Sequence, residues 1–441
     1  MANKKLTIFW FRRDLRLTDN HGLYHALTAS HRLLPLFIFD KDILDGLPTD
    51  DGRVTFIHDT LSQIKAELNT LGSDLITVFG RPLDVWQDLL GKYDIGSVYT
   101  NHDYEPYAVD RDRQVNELLS QHGISFNTYK DHVLFEKEEI LSNASTVYTV
   151  FTPYKRKWLT QWQEVYVEKA PSKGSFYPSE DHLAHLETCS PSDMISLEEM
   201  GFTRSSLSMP TTTVAQKVIK EYAERRNFPG IEDSTSRLGI HFRFGTISIR
   251  EKALKAMKLS DTYLSELIWR DFYAQILANF PHVVDRAFRA KYDVIPWRDN
   301  EEEFQRWCEG TTGYPIVDAG MRELNNTGYM HNRVRMITAS FLTKHLLMDW
   351  RRGEAYFATK LLDFDLASNN GGWQWASGSG TDAAPYFRVF NPTSQMEKFD
   401  KERTYIKKWI PEWGTEAYPS PMVDHKFARQ RCLDTYKAAL N

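Results

Sequence analysis

Ser265-Glu266-Leu267-Ile268-Trp269-Arg270 sets a carboxylate and an indole three residues apart, so on a helix they share one face. A carboxyl beside a stacking ring suits recognition of a flat, hydrogen-bonding ring; the plainer alternative is a boundary tryptophan beside a solvated glutamate. In Met330-His331-Asn332-Arg333-Val334-Arg335-Met336, Asn332 and Met336 lie four apart. One helix face then offers an amide and a thioether, while Arg333 points elsewhere, free for a phosphate; the plainer role for Asn332 is a cap. Asp363-Phe364-Asp365 opens like a calcium loop, but the sixth and twelfth positions, which need Gly and Glu, hold Ser368 and Gln374, so that chemistry fails. Beyond it, Asn369-Asn370-Gly371-Gly372 reads as a turn whose backbone can approach a ligand closely. Trp373 and Trp375 cannot share a helix face, so one can face the interior and the other a pocket. Ser234-Thr235-Ser236-Arg237-Leu238-Gly239, ahead of an expected helix, offers hydroxyls and backbone N–H groups to a phosphate, or is no more than a cap.

These groups need a scaffold, and 441 residues exceed a single core, which points to two or three domains. The first third alternates apolar runs without helical period (6–11, 33–39, 75–79, 97–100) with amphipathic stretches (53–71, 83–93, 110–122). That alternation predicts βαβ units and a doubly wound parallel sheet. No G-x-G-x-x-G follows the first strand. Phe11-Arg12-Arg13-Asp14-Leu15-Arg16 stands there instead, which excludes an ordinary dinucleotide-binding Rossmann domain. Turn formers at Pro171-Ser172-Lys173-Gly174-Ser175, Ser190-Pro191-Ser192 and Ser205-Ser206-Leu207-Ser208-Met209-Pro210 mark a connector. Helical periods follow at 214–223, 249–258, 261–279, 301–308, 316–324, 332–347 and 353–362. The expected fold is α/β plus all-α: a Rossmann-like domain over residues 1–130, a connector over 131–213 and a helical domain over 214–441.

Hydrophobic residues make up 41% of the chain and charged residues 26%, which excludes a disordered protein. The longest apolar runs, such as Leu36-Phe37-Ile38-Phe39, fall far short of the roughly 20 residues of a membrane helix. The apolar run behind Met1-Ala2-Asn3-Lys4-Lys5 is too short for a signal-peptide core. We therefore expect a cytoplasmic protein, monomeric and without membrane contact. Cys189, Cys308 and Cys432 are odd in number, far apart and without metal-ligand spacing, as reduced thiols would be. With a formal charge of −5, a nucleic-acid partner would have to meet a local positive surface, and its binding would depend strongly on salt. Eight of the twelve tryptophans lie between Trp269 and Trp413, a hint of special chemistry, although a large helical core also consumes aromatics.

Taken together the segments resemble the photolyase/cryptochrome flavoproteins, and within them the class I cyclobutane pyrimidine dimer (CPD) DNA photolyases. The resemblance runs from Phe9-Trp10-Phe11-Arg12-Arg13-Asp14-Leu15-Arg16 to the last helix. It is densest over Thr311-Thr312-Gly313-Tyr314-Pro315-Ile316-Val317-Asp318-Ala319, residues 328–340 and residues 363–399. It implies an N-terminal antenna domain, a long connector, and a helical domain holding FAD bent into a U. Tyr222 and, within the run Thr235-Ser236-Arg237-Leu238-Gly239, Thr235, Ser236 and Leu238 resemble the phosphate-side ligands. Asp363 and Asp365 resemble contacts along the ribityl and isoalloxazine edge, with Arg335 as ionic partner, and Asn369 the asparagine beside the reactive flavin nitrogen.

The implied activity is light-driven repair of a dimer flipped out of damaged DNA, by an electron from excited FADH⁻. Trp269 and Trp375 would wall the pocket, Glu266 would hydrogen-bond the base edge, and Asn332 and Met336 would line the floor. Arg226, Arg270, Arg333 and Gln395, with Trp269, would contact DNA. Trp373, Trp350 and Trp307 resemble a chain of three tryptophans leading from flavin to surface. Glu105 resembles a folate-contacting position; methenyltetrahydrofolate, deazaflavin, FMN or no antenna all stay open. The alternatives are a (6-4) photolyase, whose pocket uses histidines where Asn332 and Met336 stand, and a signalling cryptochrome, which usually carries a long polar tail. The chain departs from many relatives at Gly239 (Ser), Tyr329 (Trp) and Met396 (Gly).

Overall fold

A computed structural model describes residues 5–29, 32–168 and 176–441. Pro171-Ser172-Lys173-Gly174-Ser175, expected in the connector, lies outside the described residues. The chain divides into two compact units, each assembled from three segments. One comprises residues 1–136, 159–212 and 238–254; the other comprises 137–158, 213–237 and 255–441.

In the first unit five strands form one parallel sheet in the order β3-β2-β1-β4-β5. They are β1 Leu6–Phe11, β2 Leu33–Asp40, β3 Ile76–Gly80, β4 Ile95–Asn101 and β5 Ser125–Tyr129. β1 and β2 are buried along their whole length, as continuous apolar runs covered on both faces should be. Helices α1 His21–Ala29, α2 Gly52–Thr70, α3 Pro82–Lys92 and α4 Pro106–Gln121 supply the cover. The Arg-Arg-Asp-Leu-Arg turn after β1 is a lattice of charges. Arg16 pairs with Asp131 at 2.7 Å, and Arg250 reaches the same carboxylate at 2.7 Å. Burial alone would raise the Asp131 pKa, but Arg16 and Arg250 outweigh it and hold the carboxyl well below its ordinary value.

The second unit is helical. Its main helices are α5 Asp261–Asn279, α6 Glu301–Glu309, α7 Pro315–Thr327, α8 Asn332–Ser340, α9 Trp350–Lys360, α10 Leu366–Ser377, α11 Pro392–Phe399 and α12 His425–Leu440. The helix expected over 332–347 ends as an α-helix at Ser340 and widens into a π-turn over Phe341–His345. Asn369-Asn370-Gly371-Gly372 is not a turn: it lies inside α10. Asp365 caps that helix by accepting from Ser368 N at 3.0 Å. Gly371 is required because a Cβ there would stand 2.3 Å from carbons of the Tyr273 ring. Close packing of α10 on α5 thus overrides the turn propensity of the four residues.

Candidate functional site

Two packed helices, α5 and α10, carry Glu266, Trp269 and Arg270 on one side and Asn369, Trp373 and Trp375 on the other. On α5 the half-buried Trp269 ring stacks on Phe151, with centroids 3.6 Å apart and planes 6° from parallel. One turn back, Glu266 forms an ion pair with Arg226. The Arg226 guanidinium also lies 5.2 Å from the centre of the Tyr222 ring, which meets Tyr263 edge-on at 5.1 Å. Tyr263 OH donates to Ser236 Oγ at 3.0 Å, joining α5 to the hydroxyl-bearing loop. Arg270 sits half-buried on the same helix.

On α10, Asn369 Nδ2 donates to Glu354 Oε1 at 2.8 Å and to the Glu354 carbonyl at 3.1 Å. Burial pushes the Glu354 carboxyl up, with the Asn369 bond opposing it. Glu354 was not among the sequence candidates. It stands in the run Arg351-Arg352-Gly353-Glu354, which reads as a solvated face. Trp373 is buried in the core, whereas Trp375 is half-buried. Arg335 pairs with Asp363 at 3.0 Å and donates from Nε to the Met330 carbonyl at 2.7 Å. Arg335 stays charged because the carboxylate of Asp363, helped by Tyr329 and Glu323, outweighs the cost of burial.

A third group gathers at the start of α8. His331 Nδ1 accepts from Arg333 N at 3.2 Å, so histidine is the cap and Asn332 is the exposed first residue of the helix. Met336 lies one turn on and is half-buried; Arg333 Nη1 is 3.6 Å from its sulfur. Arg333 Nη2 donates to Asn227 Oδ1 at 2.6 Å, and its guanidinium lies 4.5 Å from the Phe399 ring centre. Burial, then the charges of Arg226 and Arg388, lower the Arg333 pKa, so three cations share one neighbourhood. Arg388 was also missed; only its place in the Tyr386-Phe387-Arg388 run signals it. Gln395 is half-buried on α11. Buried Glu323 ties this region together, accepting from Tyr405 OH at 2.6 Å and from His331 N at 3.1 Å.

The tryptophan chain needs a correction. Trp307 is 0% exposed, with its indole N–H on the Thr338 carbonyl at 3.2 Å, so it cannot be the surface end. Its side chain lies on the inner face of α6 and meets Trp373 edge-on at 6.0 Å. Trp350 and Trp373 are 1% and 2% exposed. Gly353, one turn after Trp350, lets the Trp373 ring in, since a Cβ there would lie 2.1 Å from a ring carbon. Trp297 packs on the same core while half-buried, and its neighbour Arg298 donates to the Leu347 carbonyl at 2.8 Å, just ahead of Trp350.

Leu238 and Gly239, the last members of the expected phosphate run, fall in the first unit. There Leu238 is buried and Gly239 begins a short helix ending at Phe244. Glu105, the expected antenna contact, is also in that unit, where it is half-buried and engaged by Arg13 at 2.7 Å and by Arg243. Asp365 spends one carboxylate oxygen on its cap.

The second unit fits a flavin. Thr235 and Ser236 offer hydroxyls beside the Arg237 cation, Arg335 and Asp363 form a charged pair, and Asn369 is held in one orientation. The face of α10 one turn beyond Asn369 is open, because a Cβ on Gly372 would meet nothing within 4 Å.

A parallel α/β unit and a helical unit of this kind in one chain are the architecture of the photolyases. Residues 7–173 match DNA photolyase, and residues 263–415 match the FAD binding domain of DNA photolyase. The chain belongs to the DNA photolyase family. It is 38% identical to the deoxyribodipyrimidine photo-lyase of Halobacterium salinarum, covering 98% of this chain and 99% of that protein. It is 36% identical to the enzyme of the same name from Escherichia coli, covering 98% of each. Among solved structures, the class III photolyase of Agrobacterium tumefaciens superposes with a TM-score of 0.85 at 30% identity, over 100% of this chain and 98% of that one. The photolyase of Sulfolobus tokodaii, solved with two FAD molecules, superposes with a TM-score of 0.82 at 34% identity, over 98% of this chain and 99% of that one.

Proposed function

We propose that this protein is a deoxyribodipyrimidine photo-lyase that uses light to split cyclobutane pyrimidine dimers in DNA. The observation that carries this reading is the packing of α5 on α10, with Glu266, Trp269 and Trp375 on those helices and the Arg226, Arg333 and Arg388 cations nearby. Reduced FAD (FADH⁻), when bound, supplies one-electron chemistry driven by blue light.

Enzymes that act on a base within a duplex, photolyases among them, take it out of the stack, and a damaged pair costs least to extrude. The three arginines neutralise flanking phosphates, with Arg270 and Gln395 at the rim. Trp269 and Trp375 offer ring faces to the extruded dimer, while Asn332 and Met336 contact it from α8. Glu266 reads the base edge, and a DNA phosphate that draws Arg226 away frees its carboxylate to do so. The dimer accepts one electron, its two cyclobutane C–C bonds break, and the electron returns, so no net redox change results.

On the cofactor side, Tyr222, Thr235, Ser236 and Arg237 take the phosphate end, Asp363, Arg335 and Asp365 the middle, and Asn369 the reactive ring. Trp373 and Trp350 lead an electron inward for recovery of oxidised flavin, with Trp297 as the outer member. The second FAD of the Sulfolobus relative supports an antenna chromophore in this chain as well. Two oligonucleotides, one with a single cyclobutane thymine dimer and one with a (6-4) lesion, test the reading. Light-dependent loss of the first lesion alone supports it; loss of the second alone replaces it with a (6-4) photolyase.

A further inference from the structure

Tyr329 closes the turn between α7 and α8, and its hydroxyl lies 2.9 Å from Thr235 Oγ1. The guanidinium carbon of Arg237 stands 4.5 Å from the centre of the same ring, and that of Arg335 stands 5.6 Å from it. Arg335 in turn holds both oxygens of Asp363, at 3.0 and 3.1 Å. Arg237 has a φ of 51°, in the left-handed region that a non-glycine residue keeps only where its surroundings hold it there. Its guanidinium meets the Tyr329 ring and Glu323 Oε1, which lies 3.8 Å from Nη2. A single side chain thus touches the hydroxyl and the cation of one loop and the cation that pairs with Asp363.

We propose that Tyr329 is a positioning residue for the flavin's diphosphate, acting through Thr235 and Arg237. The proposal rests on the flavin reading above. A threonine hydroxyl is a rotor with one proton and two lone pairs. The bond to Tyr329 commits one of these and so aims the remainder. The ring holds the Arg237 head in place, which reduces the rotamer freedom that gripping an anion would otherwise cost. Neither effect reaches the isoalloxazine end. The Tyr329 hydroxyl therefore acts on ligands that carry the diphosphate and is silent towards those that lack it, while Tyr329→Phe leaves the ring beside Arg335 in place.

The test measures equilibrium binding of FAD and of riboflavin, which has no phosphate, to the full-length chain and to Tyr329→Phe and Thr235→Val. Tyr329→Phe keeps the ring and removes only the hydroxyl. The expected result is a five- to tenfold weaker Kd for FAD with riboflavin unchanged. In the Thr235→Val background Tyr329→Phe adds less than twofold, because the pair acts as one unit. An equal loss for both ligands makes the residue merely structural and overturns the proposal, as does an unchanged Kd for FAD, or full multiplicativity of the two substitutions. If the unsubstituted chain binds no FAD, the flavin reading itself fails and the proposal goes with it.

Discussion

Asn369 and Glu354 are locked together: the amide donates to both the carboxylate and the backbone carbonyl of the glutamate. With both donor bonds spent on Glu354, the amide oxygen is left to face the other way. Glu354→Ala removes the carboxylate acceptor and leaves Asn369 held only by the backbone carbonyl at position 354. We expect the protein to stay folded while the reduced flavin reoxidises in air several times faster, as followed by its absorbance. Glu354→Gln, which keeps an acceptor oxygen, should recover much of the loss. An Ala variant with unaltered flavin behaviour would make the pair a packing feature.

Gly353 and Trp373 make a second tight pair. Gly353→Ala gains helix propensity of up to about 1 kcal/mol, but its methyl must fit 2.1 Å from the ring. Overpacking of a buried site costs about 1–3 kcal/mol, so the clash wins. Thermal unfolding should shift down, and flavin photoreduction should slow as Trp373 moves.

Photoreduction also separates the tryptophans. In holoprotein illuminated with a thiol donor, Trp350→Phe and Trp297→Phe should each slow reduction at least tenfold. Trp307→Phe should slow it much less, because that ring ends in the core. The reverse order would restore Trp307 as the outlet.

Two buried histidines make stability depend on pH. Burial, then the surrounding arginines Arg335, Arg333, Arg237 and Arg226, lower the His331 pKa to about 3. Burial, His425 and Arg431 lower His345 to about 3 as well. Because both folded values lie below the unfolded value, the unfolded chain binds protons first. Their contribution is full above about pH 6.5 and is lost as pH falls towards 3, at up to about 1.4 kcal/mol per pH unit per group. Denaturant midpoints should therefore fall from pH 7 to 5, and less steeply in His345→Gln. A flat profile would mean that neither ring is held neutral.

The arginine cluster predicts a steep salt dependence of DNA binding. Arg388→Ala should weaken binding to damaged and undamaged DNA alike and lower the slope of log K against log salt by about 1. Binding that does not respond to salt would remove the cluster from the interface.

The fold was legible wherever one period dominated. β1 and β2 are unbroken apolar runs, and α5 matches its expected limits because Ser260 caps it. β5 escaped because Ser-Phe-Asn-Thr-Tyr is a short, polar edge strand. Glu266 and Trp269 could be paired by spacing alone, but the hold of Arg226 on Glu266 depends on residues 40 apart. Depth is not written in spacing either: Trp307 sits on a regular helix and looked like an outlet, whereas Trp297 lies in an irregular stretch with no period. The Asn-Asn-Gly-Gly run shows the remaining limit, since Tyr273 makes it helical from another element.

The central claim is that Glu266 serves the chemistry of a lesion held between α5 and α10. The direct measurement follows the return of thymine absorbance from an oligonucleotide carrying one cyclobutane dimer, with reduced protein, in blue light and in darkness. The account predicts recovery in light only, and a Glu266→Ala variant that still binds the DNA but repairs at least severalfold more slowly. Recovery in darkness, or no recovery from protein that holds and photoreduces FAD, would contradict it.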